Sequence, residues 1–160
     1  MNILPTITRR EFARRAQAYL GHTSIRYTTA DKGCSLDGFD CSGFIRFLLL
    51  DCGIKLDADV RHCNEFFDGF GIFVHQHCAT IGDLVFLSRD GVRPTHIGVL
   101  LTEAYYIHAP GTTESLVSIS PLPTKPIKAS TKHPQIYYNN PIGFKRIAVP
   151  NGRYMYPLPL

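Results

Sequence analysis

One segment constrains this chain more than any other. From Cys41 to Cys52 the sequence is apolar almost all the way round a helix, through Phe44, Ile45, Phe47, Leu48, Leu49 and Leu50, and Gly53 closes it. A helix that apolar should be buried. Like every other apolar stretch of the chain, it falls well short of the ~20 residues that cross a bilayer. The burial therefore has to come from the rest of the protein. With 160 residues, 44% of them hydrophobic and 19% charged, the chain has the size and composition of one globular domain around one core.

The flanking sequence names the elements that can do the wrapping. Thr8-Arg9-Arg10-Glu11 has the form of a capping box, and Phe12, Ala16, Tyr19 and Leu20 come next at helical spacing. This predicts a helix over residues 9–20 with a basic outer face and Gly21 as its stop. Residues 21–39 read as a loop, and residues 61–80 as a short helix near 62–68 followed by a loop. After residue 83 the period changes. Leu84–Leu87, Ile97–Leu101, Tyr105–Ala109, Leu116–Ile119 and Ile142–Val149 are short, β-rich runs separated by turn residues. Helices first and strands afterwards predict an α+β fold, with N-terminal helices packed on a central antiparallel sheet of about five strands. The proline-rich residues 121–141 read as an irregular excursion, and 150–160 as an extended tail. No repeat or long linker divides the chain, so residues 1–160 are expected to form a single domain.

Charge and cysteine usage narrow the function classes. Lys and Arg total 17 against 13 Asp and Glu, a net charge of +4 that suits anionic surroundings. Only Arg9, Arg10, Arg14 and Arg15 cluster, and no basic run alternates with aromatics, so nucleic-acid binding is not expected. The basic helix face is read as solvated. Residues 1–7 are too short for the apolar core of a secretory signal, and the arginine pairs at 9–10 and 14–15 break up the next stretch. The five cysteines, Cys34, Cys41, Cys52, Cys63 and Cys78, are odd in number and contain no C-x-x-C. Without a signal they are read as reduced thiols.

Cys41 is the candidate nucleophile. A loop precedes it and the buried helix comes after it, so its sulfur lies in the first turn, where unpaired N–H groups and the helix dipole favour an anion. The thiolate is the reactive form of cysteine, and the same N–H groups can donate to an oxyanion. A base has to come from elsewhere. His96 opens the run His96-Ile97-Gly98-Val99-Leu100-Leu101, and His108 lies in Tyr105-Tyr106-Ile107-His108. A turn near Thr102–Glu103 makes the two runs a hairpin. An odd loop, such as 101–103, pairs His96 with His108 on one face and leaves Ile97 and Ile107 on the other. A two-residue loop at 102–103 separates the histidines unless a bulge restores them. On a shared face, His96 takes the proton of Cys41 and His108 holds the far nitrogen of His96. Taken singly, each residue also has a plainer reading, a small buried cysteine or a half-buried histidine bonded locally.

Together these blocks resemble the NlpC/P60 family of cell-wall cysteine peptidases. Gly38-Phe39-Asp40-Cys41-Ser42-Gly43-Phe44-Ile45 is similar to the family's nucleophile block. Gly82-Asp83-Leu84-Val85-Phe86-Leu87 looks like the strand before its histidine, and Thr95-His96-Ile97-Gly98-Val99 like the histidine block. Ile107-His108-Ala109-Pro110-Gly111 resembles the third-residue block and Ile142-Gly143-Phe144-Lys145-Arg146-Ile147 the closing strand. The resemblance implies a papain-like fold with Cys41, His96 and His108 as catalytic triad. It implies hydrolysis of an amide in peptidoglycan stem peptides, at the bond between γ-D-glutamyl and a diamino acid, through a thioester acyl-enzyme. It also implies that Tyr27 helps line the oxyanion site and that Asp40 and Ser42 bind substrate, with no metal and no cofactor. Asp40 equally suits a helix cap, Ser42 a bond to its own backbone, and Tyr27 the core. The family's Gly-Gly pair after the tyrosine is replaced by Thr28-Thr29-Ala30-Asp31.

The expected partner is peptidoglycan or a muropeptide. Synthesis in the cytoplasm is expected, and the sequence leaves open both muropeptide recycling there and delivery to a wall by a phage or a non-classical route. An immunity or delivery protein is an expected partner if the chain is an effector or a phage component. Three rivals stay open at this point. The same triad serves N-acetylmuramoyl-L-alanine amidases and acyltransferases. A non-catalytic binding protein can retain the fold. Cys63, His75, His77 and Cys78 are potential metal ligands, although their spacing matches no known zinc pattern.

Overall fold

A computed structural model of the chain describes residues 7–26, 32–112, 114–123 and 138–160. In chain order it contains α1 (Arg9–Gln17), β1 (Thr23–Ser24), β2 (Cys34–Ser35), β3 (Gly38–Phe39), α2 (Cys41–Asp51) and α3 (Cys63–Gly69). Next come β4 (Ile72–Val74), a 3-10 turn (Gln76–Cys78), β5 (Leu84–Ser88), β6 (His96–Leu100), β7 (Tyr105–His108) and β8 (Ser115–Leu116). The chain closes with β9 (Ser118–Pro121), β10 (Tyr138–Arg146), β11 (Ala148–Asn151) and β12 (Tyr154–Pro157). The fold is α+β, with helices in the first half and an antiparallel sheet in the second.

The central sheet has six strands in the order β4-β10-β5-β6-β7-β9, one more than the sequence led us to expect. The addition is β4, three residues that are exposed or half-buried and pair with the edge of β10. A strand that short shows no alternation, so it reads as loop. A second sheet, β2-β3-β1-β8, is built from strands of two residues each and has no sequence signature for the same reason. The tail read as extended chain turns back on itself, with β11 and β12 pairing from Ala148↔Pro157 to Asn151↔Tyr154. Leu158 beyond it is buried, and the Arg9 N–H and Nε donate to the carbonyls of Pro159 and Leu158 at 2.8 and 3.0 Å.

α2 packs against α1 and the sheet along most of its surface, but not all of it: Leu50 is 48% exposed, and Arg46 and Phe47 are half-buried. Phe44, Ile45, Leu48 and Leu49 are fully buried, which stabilises the fold by roughly 1.5–3 kcal/mol for each side chain. They pack with Phe12, Ala13 and Ala16 of α1 and with Ile97, Val99 and Ile107 of the sheet in one core cluster. Gly43 in its first turn faces the carbonyl of Gly33, which a Cβ there would overlap. Only glycine lets the start of α2 approach that loop so closely.

α1 is shorter than its pattern. Thr8 caps it by accepting from the Glu11 N–H at 3.1 Å. After Gln17 the bonds tighten to i→i−3, with Tyr19 N–H donating to Ala16 O and Leu20 N–H to Gln17 O, so the apolar spacing outlasts the α-helix. Nor are all four arginines on a solvated face. Arg9 is buried against Asp83, whose carboxylate also accepts from Arg146 Nε and Nη2 at 3.0 and 2.9 Å. Glu11 accepts from Arg14 and Arg15. Lys145 of β10 is buried too, and its ammonium donates to the carbonyls of Phe66 and Phe67 near the end of α3.

Candidate active site

A cleft of about 590 Å³ opens where α2, α3 and the start of β6 meet. Its lining includes Asp40, Cys41, Ser42, Cys63, Arg89, His96 and Gly111. Cys41 is the first residue of α2 and partly exposed to the cleft. The backbone N–H groups of Ser42 and Ile97 favour its thiolate and lower its pKa, so the thiol lies near the strand segment that begins with His96.

The hairpin that carries the histidines has an odd connection, centred one residue later than 101–103. Val99 pairs with Ile107 and Leu100 with Tyr106, and the Leu101 N–H donates to Tyr105 O. Continuing that register sets His108 across from Gly98, so His96 and His108 are diagonal neighbours on one face. The diagonal is within reach of two imidazoles, and His96 Nε2 lies 2.6 Å from His108 Nδ1. Ile97 and Ile107 point the other way, into the cluster around α2. Gly98, between the histidines, leaves room for the Tyr106 ring, which a Cβ at 98 would strike. That ring stands 4.5 Å from His108 and walls the pair.

The network runs one step further. His108 Nε2 contacts Ser120 Oγ at 2.8 Å, and Ser120 lies on β9, which pairs His108 with Ser118 and Tyr106 with Ser120. Both imidazoles are buried, 1% and 5% exposed. Burial, then the neighbouring His108, then Arg89 hold the His96 pKa well below the usual histidine value, and burial lowers that of His108 to about 4. Both rings are neutral at pH 7.

The helix side of the cleft is organised differently. The Asp40 carboxylate caps α2 by accepting from the Gly43 N–H at 2.7 Å. Arg61 forks onto it, Nη1 to Oδ1 at 3.1 Å and Nη2 to Oδ2 at 2.6 Å, and also donates to Ser42 Oγ and Lys32 O. Asp40, Ser42 and Arg61 are all 4% exposed or less. The cap reading of Asp40 is therefore realised, while Asp40 and Ser42 also border the cleft. Tyr27 and residues 28–31 lie outside the described residues.

Cys63, the first residue of α3, places its sulfur 3.5 Å from that of Cys41. That contact lowers the Cys41 pKa and raises that of Cys63, so of the two thiols Cys41 ionises first. The four residues weighed as metal ligands are thus divided. His75 and His77 stack at 4.9 Å on the exposed 3-10 turn with Cys78. Among the described residues no group of three or more His, Cys, Asp or Glu could hold a metal, and no helix is long and apolar enough to cross a membrane.

Sequence reading missed Arg61, Cys63 as a neighbour of Cys41, and Ser120. The alternation Ser118-Ile119-Ser120 was a visible sign of a strand with a polar face. Arg61 lies 21 residues from Asp40 and had no local signal.

Comparison with solved structures returns the same architecture. A NlpC/P60 family protein from Bacillus cereus is 25% identical, with a TM-score of 0.66 over 91% of this chain and 42% of that one. The NlpC/p60 domain of the peptidoglycan hydrolase SagA is 25% identical, with a TM-score of 0.57 over 72% of this chain and 90% of that domain. NlpC2 from Trichomonas vaginalis, 15% identical, shares the fold with a TM-score of 0.62 over 91% of this chain and 49% of that one. The chain thus spans less than half the length of the Bacillus and Trichomonas proteins. A search of curated proteins gives no match. The sequence profile of the NlpC/P60 family matches residues 25–136, well over half of the chain and the whole stretch from the nucleophile block past both histidines, and the chain belongs to that family.

Proposed function

We propose that this protein is a cysteine hydrolase that cleaves an amide in the peptide stem of peptidoglycan, at the bond between γ-D-glutamyl and a diamino acid. The observation that carries the reading is the His96–His108 contact at 2.6 Å beside the cleft that holds Cys41 at a helix N-terminus. Family membership and the likeness to the SagA domain, a peptidoglycan hydrolase, supply the substrate class.

The tautomers are set by the hydrogen-bond chain. If His96 accepts a proton from Cys41 at Nδ1, its Nε2–H donates to His108 Nδ1. His108 then carries its proton on Nε2 and donates it to Ser120 Oγ. A buried neutral His96 is ready to accept a proton, and His108 fixes its orientation without adding a charge. The Cys41 sulfur attacks the carbonyl carbon, and His96 returns the proton to the departing amine. The thioester acyl-enzyme is then hydrolysed by water that His96 deprotonates. Backbone N–H groups at the start of α2 face the developing oxyanion, and Tyr27 is assigned to the same site by its place in the family pattern. Asp40 and Ser42 are assigned to the substrate-facing wall, with the Asp40 charge balanced by Arg61. Arg89, exposed at the rim, favours an anionic substrate.

The test is digestion of intact peptidoglycan and defined muropeptides by the purified protein and by Cys41→Ala, read by mass spectrometry. Fragments ending in γ-D-glutamyl from the unaltered protein alone are expected. Release of whole stem peptides from muramoyl groups would make it an amidase instead, and no cleavage by either protein would remove the wall substrate.

A further inference from the structure

The proposed hydrolysis does not use Cys63, yet its sulfur is in contact with that of Cys41 at 3.5 Å in the same cleft. Cys34 and Cys52 are partly exposed and Cys78 exposed, and among the described residues no other pair of thiols is found in contact. We propose that Cys41 and Cys63 form a reversible disulfide when a hydroperoxide enters the cleft, and that Cys63 thereby protects the nucleophile from irreversible oxidation.

Geometry supplies the first argument. A disulfide needs its sulfurs at about 2.05 Å, so the two have to close by roughly 1.5 Å, within the reach of side-chain rotation. The second argument is the division of labour between the thiols. The contact lowers the pKa of Cys41 and raises that of Cys63, so Cys41 is the one of the pair that ionises first and the first to react. Cys41 is the more exposed of the two, since Cys63 is only 8% accessible. A peroxide therefore meets the reactive sulfur first and the resolving sulfur behind it.

The chemistry balances in two steps. The Cys41 thiolate attacks the terminal oxygen of the hydroperoxide, an S–O bond forms, the O–O bond breaks, and the alkoxide leaves and takes a proton from water. Cys41 is now a sulfenic acid, oxidised by two electrons, and the peroxide is reduced to an alcohol. Cys63 then attacks the Cys41 sulfur, the S–S bond forms, and the hydroxide that leaves takes the Cys63 proton as water. Losing the negative charge on Cys41 removes one of the causes that held the proton on Cys63. Without Cys63 the sulfenic acid stays open to further oxidation, which is irreversible.

The consequence for turnover rests on Cys41 being the nucleophile of the proposed function. Bond formation does not, so the readout is mass and not activity. The full chain is reduced, desalted, exposed to a small excess of hydrogen peroxide, alkylated and examined intact and as tryptic peptides. Fragments 33–46 and 62–89 each hold two cysteines, so fragment-ion sequencing has to separate Cys34 from Cys41 and Cys63 from Cys78. The expected product is about 2 Da lighter, links Cys41 to Cys63, and returns to free thiols with dithiothreitol. In Cys63→Ser, with Cys63→Ala as a second variant, Cys41 should instead gain about 32 Da, and its recoverable thiol should fall on the order of tenfold. The proposal is overturned by a link to any other cysteine, by sulfinic acid on Cys41 with Cys63 still free in the unaltered protein, or by equal recovery in the variants.

Discussion

The two walls of the cleft bury polar side chains by opposite means. On the helix wall Asp40 and Arg61 are buried as ions and neutralise each other through a two-pronged contact at 2.6 and 3.1 Å, with Ser42 bound to the same arginine. On the strand wall His96 and His108 are buried uncharged, and the chain of hydrogen bonds ends on the neutral Ser120. A buried ion pair is costly to break because one unpaired charge is left behind. A buried neutral imidazole is costly to protonate because a charge must be created in a poorly solvated place. The first arrangement ties the start of α2, where Cys41 sits, to Arg61 and the carbonyl of Lys32. The second keeps the proposed base free of protons. One wall should therefore fail on mutation of a partner and the other on acidification.

The largest effect is expected on the strand wall. Replacing His96 by Ala removes the proposed base, and hydrolysis of a muropeptide should fall by on the order of 10²–10⁴-fold with the fold retained. Full activity in that variant would remove the mechanism. His108→Ala should weaken turnover yet leave part of it, because the role proposed for His108 is to orient the base and not to take the proton.

On the helix wall, Arg61→Met strands the Asp40 carboxylate and should cost about 3–5 kcal/mol of stability, seen as a lower denaturant midpoint. Adding Asp40→Asn should restore much of it. If the double variant is no more stable than the single one, the pair is not what fixes the start of α2.

Acid should separate the walls. An unfolded histidine takes up a proton near pH 6.5, whereas buried His108 resists until about pH 4. Between those values the unfolded state binds the extra proton, so stability contributed by this site is intact above pH 6.5 and falls as the pH drops toward 4. The loss should be on the order of 3 kcal/mol for His108 alone. Urea titrations at pH 7 and pH 4 should show it, and His108→Asn should flatten the difference. The acid limb of activity should also lie below the ordinary histidine range, since the His96 pKa is lowered by burial, by His108 and by Arg89.

The smallest effect is expected at Ser120. Ser120→Ala removes one hydrogen bond to His108, worth about 1 kcal/mol, and should slow turnover by a few-fold.

How much of the molecule was legible in its sequence depended on distance along the chain. The burial of α2 followed from its composition, and the face shared by His96 and His108 followed from strand parity once an odd connection was allowed. Local patterns also gave the cap at Thr8 and the place of Cys41 at a helix start. The exact register was not legible, because Thr102–Ala104 suits more than one turn and only packing centred it at residue 103. Arg61, Cys63 and Arg9 were misplaced or missed for one reason. Their partners are Asp40, Cys41 and Asp83, each 21 or more residues away, and a single sequence carries no trace of such pairs. Strands of two or three residues were lost because alternation needs more length to show.

Cys41 as the nucleophile is tested most directly by stopping the reaction with acid during turnover on a muropeptide and mapping the acyl group on the protein. Because Cys63 lies 3.5 Å away, the site of attachment is itself informative. A thioester on Cys41, absent from Cys41→Ala, is the predicted result. An acyl group on Cys63, or peptide cleavage that persists in Cys41→Ala, would contradict it.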